Sequence, residues 1–270
     1  MIKQPVSLAT LAVLALVGSV LAQTPAPTQA PAAPPPAPVT RPPNGPPLLS
    51  EDFESGAVNW AQILSGAATI KVVQNRVAHG RNAVEMHYPA GSRGAWAFIG
   101  APVPDSLRDQ LYGRAYVYIS GLPAAHSVLL LAGSHGFPIA DFLEIGTQNG
   151  LFQPSFQLNA PTPERRRGET VGHQGDVPLA RWFCLEWRFT DKPDQIVMWI
   201  DGKQVVDKSF TMNGVSSELV RGFLEFDFGF RSWAQAAAIT GDIDVYYDDV
   251  AIGDKPIGQL TPVAAPARPF

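Results

Sequence analysis

The sequence predicts an all-β, antiparallel sandwich over residues 49–258, and three observations predict it. Short runs rich in Val, Ile, Phe, Tyr and Trp recur along this stretch. Gly, Pro, Asn and Asp separate them, and helical periodicity is scarce. In chain order the clearest runs are TIKVVQ (69–74), AVEMHY (83–88), WAFIG (96–100), RAYVYIS (114–120) and SVLLLAG (127–133). They continue with DFLEIG (141–146), FCLEWRF (183–189), QIVMWIDG (195–202), LEFDFGF (224–230) and DVYYDDVAIG (244–253). Asp201-Gly202 is a strong hairpin signal between two strand-like runs. DSLRDQL (105–111) supports one short helical turn.

The ends of the chain read differently. Lys3 followed by the apolar LATLAVLALVGSV (8–20) and Val20-Leu21-Ala22 matches a signal peptide over residues 1–22. Its apolar run is short for a bilayer, which disfavours the alternative of a retained anchor. Residues 23–48 hold eleven of the chain's 26 prolines, a composition for an extended spacer or a featureless leader. Residues 259–270 resemble a second loose tail. The expectation is a secreted, periplasmic or extracellular monomer with no membrane span once the leader is removed. The 270 residues are 46% hydrophobic and 16% charged with a net charge of −4, enough for one substantial domain. That balance argues against a nucleic-acid partner, which favours a basic stripe. Cys184 is the one cysteine, so no intramolecular disulfide forms. Zinc-type CxxC and HExxH patterns, GxSxG and P-loops are absent.

VYYDDVAIG (245–253) poses a physical problem. Side chains alternate along a strand, so Asp248 should share a face with Val250 and Ile252, the core side. A buried carboxylate needs a partner. An arginine, a histidine, a cation or water at a frayed strand end would each serve.

Three stretches taken together, EDFESG (51–56), VAHGRNAVEM (77–86) and VYYDDVAIG, joined by ARWFCLEWRFTDKPDQIVMWIDGKQV (180–205), carry a resemblance. The chain resembles the cellulose-induced secreted fungal protein family and its bacterial relatives, over nearly all of residues 50–258. The resemblance implies a jelly roll related in fold to glucuronan and alginate lyases and to concanavalin-like carbohydrate binders. It also implies a structural Ca²⁺ held by Glu54, Asn82 and Asp248, with a carbonyl from His79 or Gly80 in a turn one residue shorter than the family's. Such oxygens suit calcium, which would answer the Asp248 charge.

Alternation places a polar row beside the apolar one. Phe226, Phe228 and Phe230 share one face, while Glu225, Asp227, Gly229, Arg231 and Trp233 share the other. Phe142, Glu144 and Gly146 lie together, and Gln148 continues them; Glu186 and Arg188 alternate in the same way. The polar row is expected to line a glycan cleft, with Glu144, Asp227, Glu186 and Trp233 as substrate-binding residues. In lyase relatives one of these strands carries a His, an Arg and a Gln, and here those positions read Phe142, Glu144 and Gln148. The later strand's Glu and Tyr read Arg231 and Trp233. A cross-cleft Glu144–Arg231 pair follows, while the family's His and Tyr are missing. The family's C-terminal cysteine falls on Gln259. Gln148 and Arg231 are the expected uronate binders, with His173 or a tyrosine as base. His173 and Arg165-Arg166-Arg167 share one loop, which lines the cleft or simply faces water. His135 reads as a turn residue, and Trp96 and Trp233 as sugar platforms or core.

The leading expectation is a secreted jelly roll that interacts with a cell-wall or extracellular polysaccharide. A uronate lyase acting by β-elimination and a structural surface protein are the alternatives.

Overall fold

The computed structural model describes residues 44–92, 94–134, 141–158, 167–170, 174–212, 215–216, 222–233 and 239–260. The predicted leader, most of the spacer, His135, Arg165, Arg166, His173 and residues 261–270 lie outside them. In chain order the strands are β1 (Leu49–Glu51), β2 (Ala61–Ser65), β3 (Thr69–Val73), β4 (Ala83–Tyr88), β5 (Trp96–Pro102) and β6 (Gln110–Ile119). Then come β7 (Ser127–Gly133), β8 (Phe142–Gln148), β9 (Leu151–Leu158), β10 (Arg167–Thr170), β11 (Gln174–Asp176) and β12 (Trp182–Asp191). The last are β13 (Asp194–Ile200), β14 (Lys203–Ser209), β15 (Thr211–Met212), β16 (Val215–Ser216), β17 (Glu225–Ser232) and β18 (Ile243–Gly253). The short helical turn is Asp105–Leu107. Among the described residues no helix is long and apolar enough to cross a membrane.

Two antiparallel sheets make the sandwich. The first runs β14-β13-β12-β6-β18-β4-β3, with β1 also on β18. The second runs β10-β9-β8-β7-β17-β5-β2, with β11 also on β9. Period-two alternation fills the space between them. Phe183, Leu185, Trp187 and Phe189 of β12 and Val245 and Tyr247 of β18 meet Phe226, Phe228 and Phe230 of β17. Trp187 stacks on Phe226 at 5.5 Å, and Phe228 meets Tyr247 at 5.0 Å between ring centroids. The Tyr247 hydroxyl crosses to the second sheet and faces the carbonyls of Leu129 and Gly229 at 2.9 and 2.7 Å. Those carbonyls lie where the β7–β8 and β17–β7 registers slip, so a side chain answers acceptors beside irregular ladders.

Two local features depart from the sequence pattern. β9 carries Pro154 within a strand paired on both sides, where a missing N–H is normally excluded. Its second edge is shared, with β11 pairing at 151–152 and β10 at 155–158. Pro154 falls in the gap, so no paired ladder position on that edge lacks its donor. The second departure corrects the expected facing of Asp248. Asp249 adopts φ +48°, and the register against β6 shifts between Asp248 and Ala251. This bulge sends both Tyr247 and Val250 into the core and leaves Asp248 on the outer side of the first sheet.

Two backbone contacts tie the segments that flank the strands. Gly45 N–H donates to the Pro256 carbonyl at 2.8 Å, and Leu260 N–H to the Tyr116 hydroxyl at 2.9 Å.

Gly113 lies beneath the Trp187 indole, where a Cβ would overlap the ring. Gly113→Ala should therefore cost about 1–3 kcal/mol by overpacking. Urea denaturation measures it, and an unchanged midpoint would contradict this packing.

Candidate functional site

The outer face of the second sheet gathers the polar row. Glu144 on β8 stands directly opposite Ser155 on β9, and Gly146 opposite Gln153. Ser155 Oγ donates to Glu144 Oε1 in a very short contact. His126, just before β7, reaches over Gly146, where a Cβ would lie 2.8 Å from the imidazole Cε1. Only the missing side chain at Gly146 leaves that space. His126 Nε2 lies 3.0 Å from Glu144 Oε1, and Nδ1 lies 2.7 Å from Gln153 Oε1.

This arrangement sets the charge of the imidazole. With the Gln153 amide oriented oxygen-first, both ring nitrogens face acceptors, and both can donate only in the imidazolium. Burial by itself would lower the His126 pKa. The hydrogen bond and charge of Glu144 and the bond to Gln153 outweigh burial and raise it above the ordinary 6.5. Arg231 on β17 stands opposite Trp96 of β5. Its guanidinium lies 4.8 Å from the Trp96 ring and 3.7 Å from the Trp233 ring. Burial lowers the Arg231 pKa, and the Glu144 charge opposes that shift, which is the electrostatic content of the expected Glu144–Arg231 relation. Trp233 is half exposed, so much of its ring remains open to a ligand.

The other expected residues distribute as follows. Gln148 ends β8 opposite Leu151, half-buried. Asp227 is fully buried, its carboxylate against Gly100 with Glu225 close by. Phe98, Val128, Leu131 and Phe142 form an apolar patch on this same face. Glu186 requires a correction. It lies on β12 in the first sheet, with Leu185 and Trp187 in the core, so it points away from the cleft on the opposite side of the sandwich. Alternation gave its orientation relative to its neighbours but not which sheet holds it. Sequence reasoning missed His126, Gln153 and Ser155. Their signal was the alternation of Gln153 and Ser155 with Phe152 and Phe156, which Pro154 disguised as a loop. His126 precedes its strand and sits outside any alternation.

The other expected site is a turn on the first sheet. β18 pairs with β4 up to Tyr247 and with β1 from Val250, and Asp248 sits at that handover. The N–H groups of Ala78 and His79 donate to Asp248 Oδ2 at 2.9 and 3.0 Å. Those of Arg81 and Asn82 donate to Glu54 Oε1 at 2.8 and 2.9 Å and lower its pKa. Between them Gly80 has φ +64°, and a Cβ there would strike the Glu54 carboxylate. Asn82 is buried, and its Oδ1 accepts from Gln74 at 3.0 Å. Burial, then the charge of Asp249, push the Asp248 pKa up to about 7 against the opposing amide bonds. Among the described residues no three His, Cys, Asp or Glu side chains form a metal cluster. A cation at this turn would therefore draw on amide and carbonyl oxygens as well.

Glu144→Gln should lower the His126 pKa, read from the imidazole resonances in an NMR titration. In the parent, the pair's contribution to stability is full below the unfolded histidine value and is lost as pH rises through the raised one. An unshifted His126 titration would contradict the assignment.

No protein-family model matches the chain, and no curated protein matches it. Among solved structures it is similar to the cellulose-induced protein Cip1, with 18% identity and a TM-score of 0.53 over 78% of this chain and 99% of that one. It is also similar to the endo-β-1,4-glucuronan lyase of the fungus Trichoderma reesei, with 19% identity and a TM-score of 0.57 over 77% and 95%. At such identities the shared property is the fold, a jelly-roll sandwich, as the sequence motifs implied.

Proposed function

We propose that this is a secreted polysaccharide-binding protein that holds a uronate-bearing glycan on the outer face of the second sheet. One observation carries the proposal: Arg231, set against Trp96 and Trp233, and His126, held on Glu144, stand on one outer face beside the half-exposed Trp233 ring. A guanidinium and an imidazole suit the oxygens of a sugar carboxylate, and the exposed Trp233 ring offers a surface for a pyranose. The fold is shared with a glucuronan lyase, which agrees with this substrate class.

Elimination is a second reading, favoured by the placement of His126 beside the proposed carboxylate site. It requires His126 in its neutral form, with one ring nitrogen freed from Glu144 or Gln153, before it can accept a proton. None of the chain's six tyrosines can be the base here. Tyr88 and Tyr247 donate into the core, and Tyr112, Tyr116, Tyr118 and Tyr246 face outward from the first sheet. A base would have to be His126 or His173, which lies outside the described residues, and binding is the reading that the geometry of Arg231 and Trp233 supports best. Arg231→Ala should weaken oligoglucuronate binding about tenfold to a hundredfold, by loss of a charge-assisted bond. In the parent, affinity should fall as pH rises through the raised His126 value and as salt increases. Calorimetry measures both, and ultraviolet absorbance of unsaturated uronates detects cleavage. Parent-like affinity in Arg231→Ala would move the site elsewhere.

The proposal includes a structural Ca²⁺ at the Gly80 turn. The hard oxygens of Glu54, Asn82 and Asp248 and a carbonyl of His79 or Gly80 would hold it, and it would keep the buried Asp248 ionised. Binding to the native state alone stabilises by about 2.7 kcal/mol at a hundred times Kd. Chelator should thus lower the melting temperature by several degrees, and added Ca²⁺ should restore it. Asp248→Asn should lose that response. A chelator-insensitive parent would leave the turn amides as the sole answer to these carboxylates.

A further inference from the structure

The opposite side of the sandwich carries an aromatic surface that the uronate site does not use. Even-numbered residues of β6 point away from the core and set Tyr116 and Tyr118 on one line. β12 places Trp182 opposite Tyr118 and Cys184 opposite Tyr116, and β18 places Tyr246 against Tyr118 from the other side. Tyr118 meets Trp182 at 5.9 Å and Tyr246 at 5.6 Å, with the Arg76 guanidinium 4.0 Å above the Tyr118 ring. Beside this group a hollow of about 220 Å³ opens, lined by Ala78, His79, Tyr116, Trp182, Cys184 and Asp201.

Its walls are held in place before any ligand arrives. The Tyr116 hydroxyl accepts from Leu260 N–H. The His79 ring stands edge-on to Tyr116 at 4.3 Å, and Asp249 fixes its Nδ1 at 2.7 Å, which leaves Nε2 as its other polar atom. Asp201 occupies the hairpin turn with φ +49° and accepts from Cys184 N–H at 2.8 Å and from Arg181 at 2.9 Å, yet 45% of its side chain remains exposed. A pair of aromatic walls with a few fixed polar groups is the composition of a small-molecule site. The volume suits one sugar ring rather than a chain segment. Asp201 at the rim accepts from hydroxyl groups and repels a carboxylate.

We propose that this hollow is a second carbohydrate site, which takes one neutral pyranose residue between Tyr116 and Trp182 with its hydroxyls at Asp201 and His79. It shares no residue with the Arg231 site, lies on the outer face of the other sheet and selects uncharged rather than anionic sugars. The protein would then hold a neutral glycan on one side and a charged one on the other. Preset walls reduce the ordering cost of binding.

Calorimetry on the purified protein tests this with cellohexaose, xylohexaose and mannohexaose as neutral probes and oligoglucuronate as the charged one. At least one neutral probe should bind the parent. Trp182→Ala should weaken that binding about tenfold through loss of ring stacking, and Trp182→Phe should retain most of it. Asp201→Asn, which keeps the size and the turn, should weaken it as well. Oligoglucuronate affinity should be unchanged in all three, while Arg231→Ala should show the reverse pattern. Melting temperatures establish folding, and if Trp182→Ala does not fold, the other two variants decide. Absence of neutral binding in the parent overturns the proposal. So does neutral binding that survives Trp182→Ala and Asp201→Asn, or that is lost in Arg231→Ala instead.

Discussion

The hydroxyl of Tyr247 is the contact on which the two faces of this sandwich depend. It leaves β18 at the centre of the first sheet, crosses the core and meets the carbonyls of Leu129 and Gly229 where the second sheet slips register. Burial raises its pKa far above the ordinary phenol value, so it stays a donor. A phenylalanine there would fill the same space and remove the one proton that these two carbonyls share, a cost of about 1–3 kcal/mol. The slips also set which residues reach the outer face. Beyond Gly229 comes Arg231, opposite Val128, and before Leu129 come Val128 and His126. The core donor and the site residues on the outer face are therefore parts of one local geometry.

Neighbouring residues on β18 do opposite work. Tyr247 turns inward, and Asp248 turns outward beneath the 78–82 turn. The left-handed backbone at Asp249 permits the exchange of partner from β4 to β1 and makes Tyr247 and Val250 both core residues. Asp tolerates that conformation better than a branched residue would. The sequence DD in an apolar strand is thus the mark of a bulge, with one carboxylate for the turn amides and the other for the His79 ring.

Most of the fold was legible because each strand buries one face, and alternation records that directly. TIKVVQ, AVEMHY, FCLEWRF and LEFDFGF all lie on observed strands. What alternation cannot record is a break in its own period. Asp248 was assigned inward because the bulge at Asp249 is invisible to a strict period of two. Pro154 normally excludes a doubly paired strand, so LFQPSFQL carries no clear strand signal, and the gap between β10 and β11 that admits β9 depends on residues far along the chain. Glu144, Arg231 and Trp233 were legible as an outward polar row. Their partners His126, Gln153 and Ser155 were not, since two belong to that hidden strand and one precedes its own. Glu186 shows the complementary limit: alternation assigns a side of a strand, and only strand order assigns the sheet.

Among the described residues three histidines sit beside carboxylates, and comparing them isolates what is special about one. His79 lies 2.7 Å from Asp249 and His87 lies 2.7 Å from Asp244, each through Nδ1. In each, one ring nitrogen faces one carboxylate oxygen. His126 has Glu144 at Nε2 and Gln153 at Nδ1. A neutral ring would turn a bare nitrogen toward one of two oxygen acceptors, lone pair against lone pair. The hydrogen bond and charge of Glu144, with the bond to Gln153 added, therefore raise its pKa against burial. Gln153 can supply it because Gly146 opposite leaves room for the ring, and Pro154 sits where β9 has no second partner to satisfy. A glycine, a proline and a glutamine, none of them ionisable, thus set the surroundings of an imidazole on the face that also carries Glu144, Asp227 and Arg231.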